Sequence, residues 1–81
     1  MQNQFPSKEK LAKLRKKFPA GAQIRLLYMD DKQAVPPGTI GKVVMVDDAG
    51  TVHMNWSNGS TLGLIPDEDK FEIIKSASHR L

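Results

Sequence analysis

Two turn signals stand close together in this sequence and leave room only for short strands around them. Asp47-Asp48-Ala49-Gly50 places a glycine where a tight turn needs a positive φ, and Asn58-Gly59 is the strongest short hairpin signal in the chain. Between them Val52, Met54 and Trp56 alternate with polar residues, which is typical of a half-buried strand. This part of the sequence therefore predicts consecutive β-hairpins.

The apolar pattern is different before residue 22. Leu11, Leu14 and Phe18 recur at spacings of three and four, which predicts one apolar stripe on a basic amphipathic helix over residues 7–18. Ser7 can cap the first turn, and Pro19-Ala20-Gly21 ends the helix because proline cannot continue it. We expect this stripe to pack on the β-structure, with residues 1–6 as a flexible tail.

Residues 22–74 divide into five predicted strands, at 23–28, 41–46, 51–56, 60–65 and 71–74. So many short strands leave free edges unless the sheet closes, so we expect a small, strongly bent barrel. Its predicted interior residues are Ile24, Leu26, Val44, Val46, Val52, Met54, Trp56, Leu62, Leu64, Phe71 and Ile73. The length of 81 residues fits one domain. Residues 75–81 should fray, as chain ends that make few contacts do. We expect the protein to be a monomer or a weak dimer.

Two groups of motifs carry a resemblance to known families. Pro37-Gly38-Thr39-Ile40-Gly41-Lys42-Val43, with Trp56-Ser57-Asn58-Gly59-Ser60, resembles the strand-turn-strand core of SH3-like barrels of the KOW and Mib–Herc2 sort. The chain also resembles a bacterial and phage family described as domain of unknown function 4314, through segments at 5–15, 19–21, 29–43, 47–50 and 56–66. The residue pattern and the resemblance to SH3-like barrels together predict a mainly β fold, an N-terminal α-helix followed by a five-stranded SH3-like barrel. The resemblance to domain of unknown function 4314 implies an accessory protein of phages, plasmids or conjugative elements, and no established activity.

Composition argues against several classes of function. The chain has no cysteine, which excludes thiolate metal sites and cysteine nucleophiles. It shows neither a secretory signal nor the roughly 18 apolar residues of a membrane span, so we expect a cytoplasmic protein without a membrane partner. His53 and His79 have no triad spacing, and the acidic groups Asp30-Asp31, Asp47-Asp48 and Asp67–Asp69 fall in predicted turns. We therefore expect a non-enzymatic module without catalytic residues, metal or cofactor.

The charge distribution supplies the first functional hypothesis. Residues 1–25 hold seven Lys or Arg against one acid, a charge of +6, whereas residues 26–81 hold five basic and eight acidic residues, a charge of −3. A basic helix attracts polyanions and releases their counterions, so we expect it to bind nucleic acid or a nucleoprotein complex. The alternative is a solvated face that keeps a small protein soluble. The candidate binding residues are Lys8, Lys10, Lys13, Arg15, Lys16, Lys17 and Arg25.

A second hypothesis is a protein-interaction or inhibitor module. Tyr28 stands at the mouth of the long predicted loop Asp30–Gly38, where SH3-like barrels often hold a peptide groove. The candidate groove residues are Tyr28, Asp30, Asp31 and Trp56. Trp56 at the end of a strand pattern also fits a core position, and both interpretations stay open at this point.

Overall fold

A computed structural model of the chain describes residues 6–75, with side chains through residue 74. One helix, α1 (Lys8–Lys17), precedes four strands, which are β1 (Gln23–Tyr28), β2 (Ile40–Val46), β3 (Val52–Trp56) and β4 (Lys70–Lys75). The strands form one antiparallel sheet in the order β3-β2-β1-β4. The described part is therefore mainly β with one N-terminal helix, as predicted. The tails expected at 1–6 and 75–81, and with them His79, lie outside the described residues except for Pro6 and Lys75.

Helix α1 begins after Ser7, whose Oγ accepts a hydrogen bond from the Lys10 N–H at 3.1 Å. It ends at Phe18, whose N–H donates to the Leu14 carbonyl at 2.8 Å and whose ring is buried in the core. No residue of the helix itself is fully buried, although Leu14 packs against the core. Within residues 6–75, no helix has the length and apolar character needed to cross a membrane.

The two predicted turns on either side of β3 have the expected backbone. Gly50 adopts a φ of 87° and donates its N–H to the Asp47 carbonyl. Gly59 adopts a φ of 92° and donates its N–H to the Trp56 carbonyl. Positive φ values are readily accessible only to glycine, so both positions depend on that residue.

The prediction of a strand at 60–65 is wrong. This segment makes one isolated bridge, in which Leu64 and Val52 exchange backbone hydrogen bonds of 2.8 and 2.9 Å. Three neighbouring N–H groups are satisfied by side chains instead: those of Ser60, Leu62 and Ile65 donate to Asn58 Oδ1, Ser60 Oγ and Asp69 Oδ2. Because local side chains compete with the strand ladder, the segment covers the edge of β3 without forming a fifth strand.

A β-bulge in β2 changes which of its residues face the core, so the predicted interior residues are wrong at one position of this strand. The register between β2 and β3 shifts between Val43 and Met45, so Val44 is an extra residue. Val43 is buried in place of Val44, whereas Val44 and Met45 are 45% and 49% exposed. Ile73 was also predicted to face inward but is exposed, because β4 lies at the edge of the sheet that the described residues form and pairs there with β1 alone.

The remaining predicted core is confirmed in large part. Fully buried members of the predicted set are Ile24, Leu26, Val46, Val52, Met54, Trp56 and Leu64, with Leu62 and Phe71 half-buried beside them. Val35 is also buried, although it belongs to the segment predicted as a polar loop. Its burial holds that loop against the core, because removing an apolar side chain from water is energetically favourable.

Candidate functional site

Two of the basic helix residues form ion pairs with the β-structure. Lys10 Nζ lies 3.0 Å from Asp67 Oδ2, in the turn that precedes β4. Arg15 Nη2 lies 2.9 Å from Asp48 Oδ1, and its Nε and Nη2 also donate to the Val46 carbonyl at 3.3 and 3.2 Å. We call these the helix ion pairs. All four side chains are substantially exposed, so each pair contributes about 0–1 kcal/mol and mainly orients the helix.

Lys17 is directed toward the aromatic side of the core. Its Nζ lies 5.7 Å from the centroid of the Phe18 ring and 5.8 Å from that of Phe71. The two rings contact each other with centroids 5.5 Å apart. A cation at this distance from two ring centroids is attracted by their electron density, so Lys17 is partly engaged within the fold.

Arg25 does not belong to the helix surface. It lies in β1 opposite Ile40 of β2 and Glu72 of β4. Its Nη1 is 2.6 Å from Glu72 Oε2, an ion pair across neighbouring strands. The structure therefore separates Arg25 from the helix residues with which the charge pattern had grouped it.

Three helix lysines make no ion pair with the described residues. Lys8, Lys13 and Lys16 are all exposed, and we call them the outward lysines. At 3.6 residues per turn, Lys13 and Lys16 lie on the side turned away from the Leu11–Leu14 stripe, and Lys8 lies at its margin. The candidate polyanion surface is therefore about half the size that the sequence predicted.

The four predicted groove residues do not share one surface. Tyr28 is 52% exposed, and Asp30 and Asp31 are exposed in the following loop, where Asp31 Oδ1 accepts the Gln33 N–H at 2.7 Å. Trp56 is only 3% exposed and donates its Nε1–H to the Leu62 carbonyl at 2.7 Å.

Register also separates Trp56 from Tyr28. Trp56 pairs with Gly41, which pairs with Ile24, four residues before Tyr28 in β1. That is about 13 Å along the strand.

The acidic residues of the β2–β3 turn have structural partners. Asp47 Oδ1 accepts the N–H groups of Ala49 and Thr51 at 3.0 and 2.9 Å, and its Oδ2 lies 2.8 Å from His53 Nε2. The hydrogen bond from His53 is the main cause that lowers the pKa of the Asp47 carboxyl below its ordinary value of 3.8, and the two backbone donors act in the same direction. The turn is evident from the sequence pattern, whereas the contact between Asp47 and His53 is not.

Two shallow grooves are present on the described surface. One, of about 320 Å³, lies on the sheet and is lined by Gln23, Ile40, Gly41, Lys42, Asn55 and Ser57. The other, of about 360 Å³, lies between the end of α1 and the β2 bulge and is lined by Arg15, Phe18, Pro19, Ala20, Val44, Met45 and Val46. Among residues 6–74, no three histidine or acidic side chains are arranged to hold a metal ion.

Comparison with known proteins gives one match. A family model described as "Domain of unknown function (DUF4314)" matches residues 7–74, which include the helix and all but the last residue of β4. No curated protein and no solved structure matches the chain. The resemblance to domain of unknown function 4314 is thereby confirmed, and the description of that family attaches no activity to any residue.

Proposed function

Because the chain belongs to the DUF4314 family, whose description names no activity, we propose its function from its own exposed residues. We propose a non-enzymatic module that binds nucleic acid, or a nucleoprotein complex, through helix α1. The observation that carries this proposal is the set of outward lysines, which have no acidic partner among the described residues while the helix ion pairs fix the opposite flanks. A helix oriented in this way presents Lys13 and Lys16 on the side turned away from the core, with Lys8 at its margin.

The fold proposed for the module is an SH3-like barrel. Short antiparallel strands, tight turns and bulges in β1 and β2 support it, because bulges bend a sheet strongly. The 60–65 segment supports it further, since the bridge between Val52 and Leu64 covers one edge of the sheet. We also propose, from the family resemblance of the sequence motifs, that the protein is an accessory factor of a phage or mobile element.

The outward lysines set the expected strength of binding. Three phosphate contacts to duplex DNA correspond to a slope of about −2.7 in log K against log salt. Raising the salt from about 50 to 200 mM should then weaken binding about 40-fold. All seven basic residues of the sequence-based set would correspond to a slope of about −6, so the slope measures how many of them take part.

The test is fluorescence anisotropy with a short labelled DNA duplex and a single-stranded RNA. We expect Lys13→Glu/Lys16→Glu to weaken binding at least tenfold at low salt, because two contacts become repulsive. The control is Lys32→Glu/Lys42→Glu, which changes the net charge equally at exposed positions outside the helix. Equal losses in the two double variants, or no binding by the native protein at low salt, would contradict the proposal.

The alternative function, binding of a partner protein at a surface of Tyr28 and Trp56, has less support. The buried Trp56 ring contributes almost no area there, and its indole N–H already has a partner. A module that bound a peptide at Tyr28 would therefore lack the second aromatic residue on which that hypothesis depended.

A further inference from the structure

The β2 bulge presents two neighbouring apolar side chains to solvent. In a regular strand Val44 and Met45 would point to opposite faces, and one of them would be covered by the core. The bulge turns both outward, at 45% and 49% exposure. Bulges are over-represented beside functional sites because they redirect side chains in this way. We call Val44 and Met45 the bulge pair.

A groove adjoins the bulge pair. It has a volume of about 360 Å³, and most of its lining is apolar, from the bulge pair, Phe18, Pro19 and Ala20. Methionine is unbranched and flexible, so Met45 can adapt to a side chain that enters the groove. The shape and lining suit one or two aliphatic side chains of a partner.

The one charged side chain among the described lining residues of this groove is basic. Arg15 lines the groove, and Lys17 lies in the same last turn of α1. The Arg15 Nε and Nη2 groups are bound to Val46 and Asp48, whereas its Nη1 makes no hydrogen bond with the described residues. None of the described residues that line the groove is acidic, and Asp48 lies next to it as the partner of Arg15. A guanidinium fixed at one end with free donors at the other is suited to bind a carboxylate.

We propose that the groove at the bulge pair is a docking site for an acidic amphipathic segment of a partner protein. Aliphatic side chains of that segment cover Val44 and Met45, and a flanking carboxylate accepts hydrogen bonds from Arg15 Nη1. This site is distinct from the outward lysines, so the module can contact a protein and a polyanion through different residues.

The test is a titration of the labelled native protein with a short peptide of leucine and glutamate. A second peptide has lysine in place of every glutamate. We expect saturable binding of the acidic peptide below about 1 mM, with amide shifts centred on the bulge pair in NMR spectra, and at least fivefold weaker binding of the basic peptide. Val44→Thr/Met45→Gln should abolish the interaction while leaving DNA binding unchanged.

Leu27→Gln/Ile65→Thr is the matched control, because these two residues are also exposed apolar side chains and neither lines the groove. This variant should bind the acidic peptide as the native protein does. Equal affinity for the acidic and basic peptides would overturn the proposal, as would full binding by the Val44→Thr/Met45→Gln variant or no binding up to about 1 mM.

Discussion

Gly41 lies in β2 directly opposite Trp56 of β3, and the indole ring occupies the space that a side chain at position 41 would fill. A Cβ at this position would approach Trp56 Cε3 to 2.6 Å and the Asn55 carbonyl oxygen to 3.1 Å. The ring is buried and holds a hydrogen bond to the Leu62 carbonyl, so it cannot move aside without losing that bond. Packing, and not a positive φ, therefore requires glycine here.

Gly41→Ala should accordingly lower the free energy of unfolding by about 1–3 kcal/mol, the usual cost of overpacking a core. Urea denaturation measures this loss. In a Trp56→Phe background the smaller ring leaves room for the added methyl group, so the loss should fall by at least half. An equal loss in both backgrounds would show that the indole is not the obstacle.

At the scale of elements, α1 depends on its ends more than on burial. A helix of ten residues is marginal in isolation, and none of its residues is fully buried. Its cap at Ser7 and the helix ion pairs to Asp48 and Asp67 compensate for this. The position of the outward lysines therefore depends on a few polar contacts that hold α1 in place.

Ser7→Ala should destabilise α1 by about 1 kcal/mol, because the Lys10 N–H loses its acceptor. Hydrogen exchange of the first-turn amides should accelerate about fivefold, whereas exchange in β2 and β3 stays unchanged if only the helix opens. Ser7→Asp is the control, since aspartate is an equally good cap. Accelerated exchange with aspartate as well would mean that the cap is not the cause.

At the scale of the whole molecule, the acidic body partly neutralises the basic helix. Asp48 and Asp67 reach the helix from two separate turns and bind Arg15 and Lys10. A third acid, Glu72, binds Arg25 within the sheet. Part of the positive charge therefore forms ion pairs that join the helix to the sheet. The unpaired positive charge on the outer side of the helix is available to a ligand.

Asp48→Asn/Asp67→Asn should release Lys10 and Arg15 and so strengthen DNA binding. The salt slope should change from about −2.7 to about −4.5, as the contacts rise from three to five. Asp30→Asn/Asp31→Asn removes the same charge from an exposed loop and should leave the slope near its native value. Anisotropy titrations at several salt concentrations decide this, and identical slopes for the two variants would contradict the account.

The sequence predicts those parts of the fold and site that depend on neighbours along the chain. The α1 stripe, its cap at Ser7 and the turns at Gly50 and Gly59 are local features, and the structure contains all of them. Most of the predicted core is also confirmed. The apolar residues of β1 and β3 alternate with polar ones, and this local pattern shows which face of each strand is buried. The basic residues of the helix were likewise found by local charge counting.

Only the tertiary structure decided which partners the backbone groups and the charged side chains take. The bulge at Val44 depends on the register of β2 against β3, and that register exposes the bulge pair. The segment 60–65 has a strand pattern, but side-chain acceptors up to four residues away take its N–H groups. Asp48 and Asp67 reach α1 from 33 and 57 residues away in sequence. Such pairings have no local periodicity, so sequence alone determined where positive charge lies, and the fold determined which of it stays free.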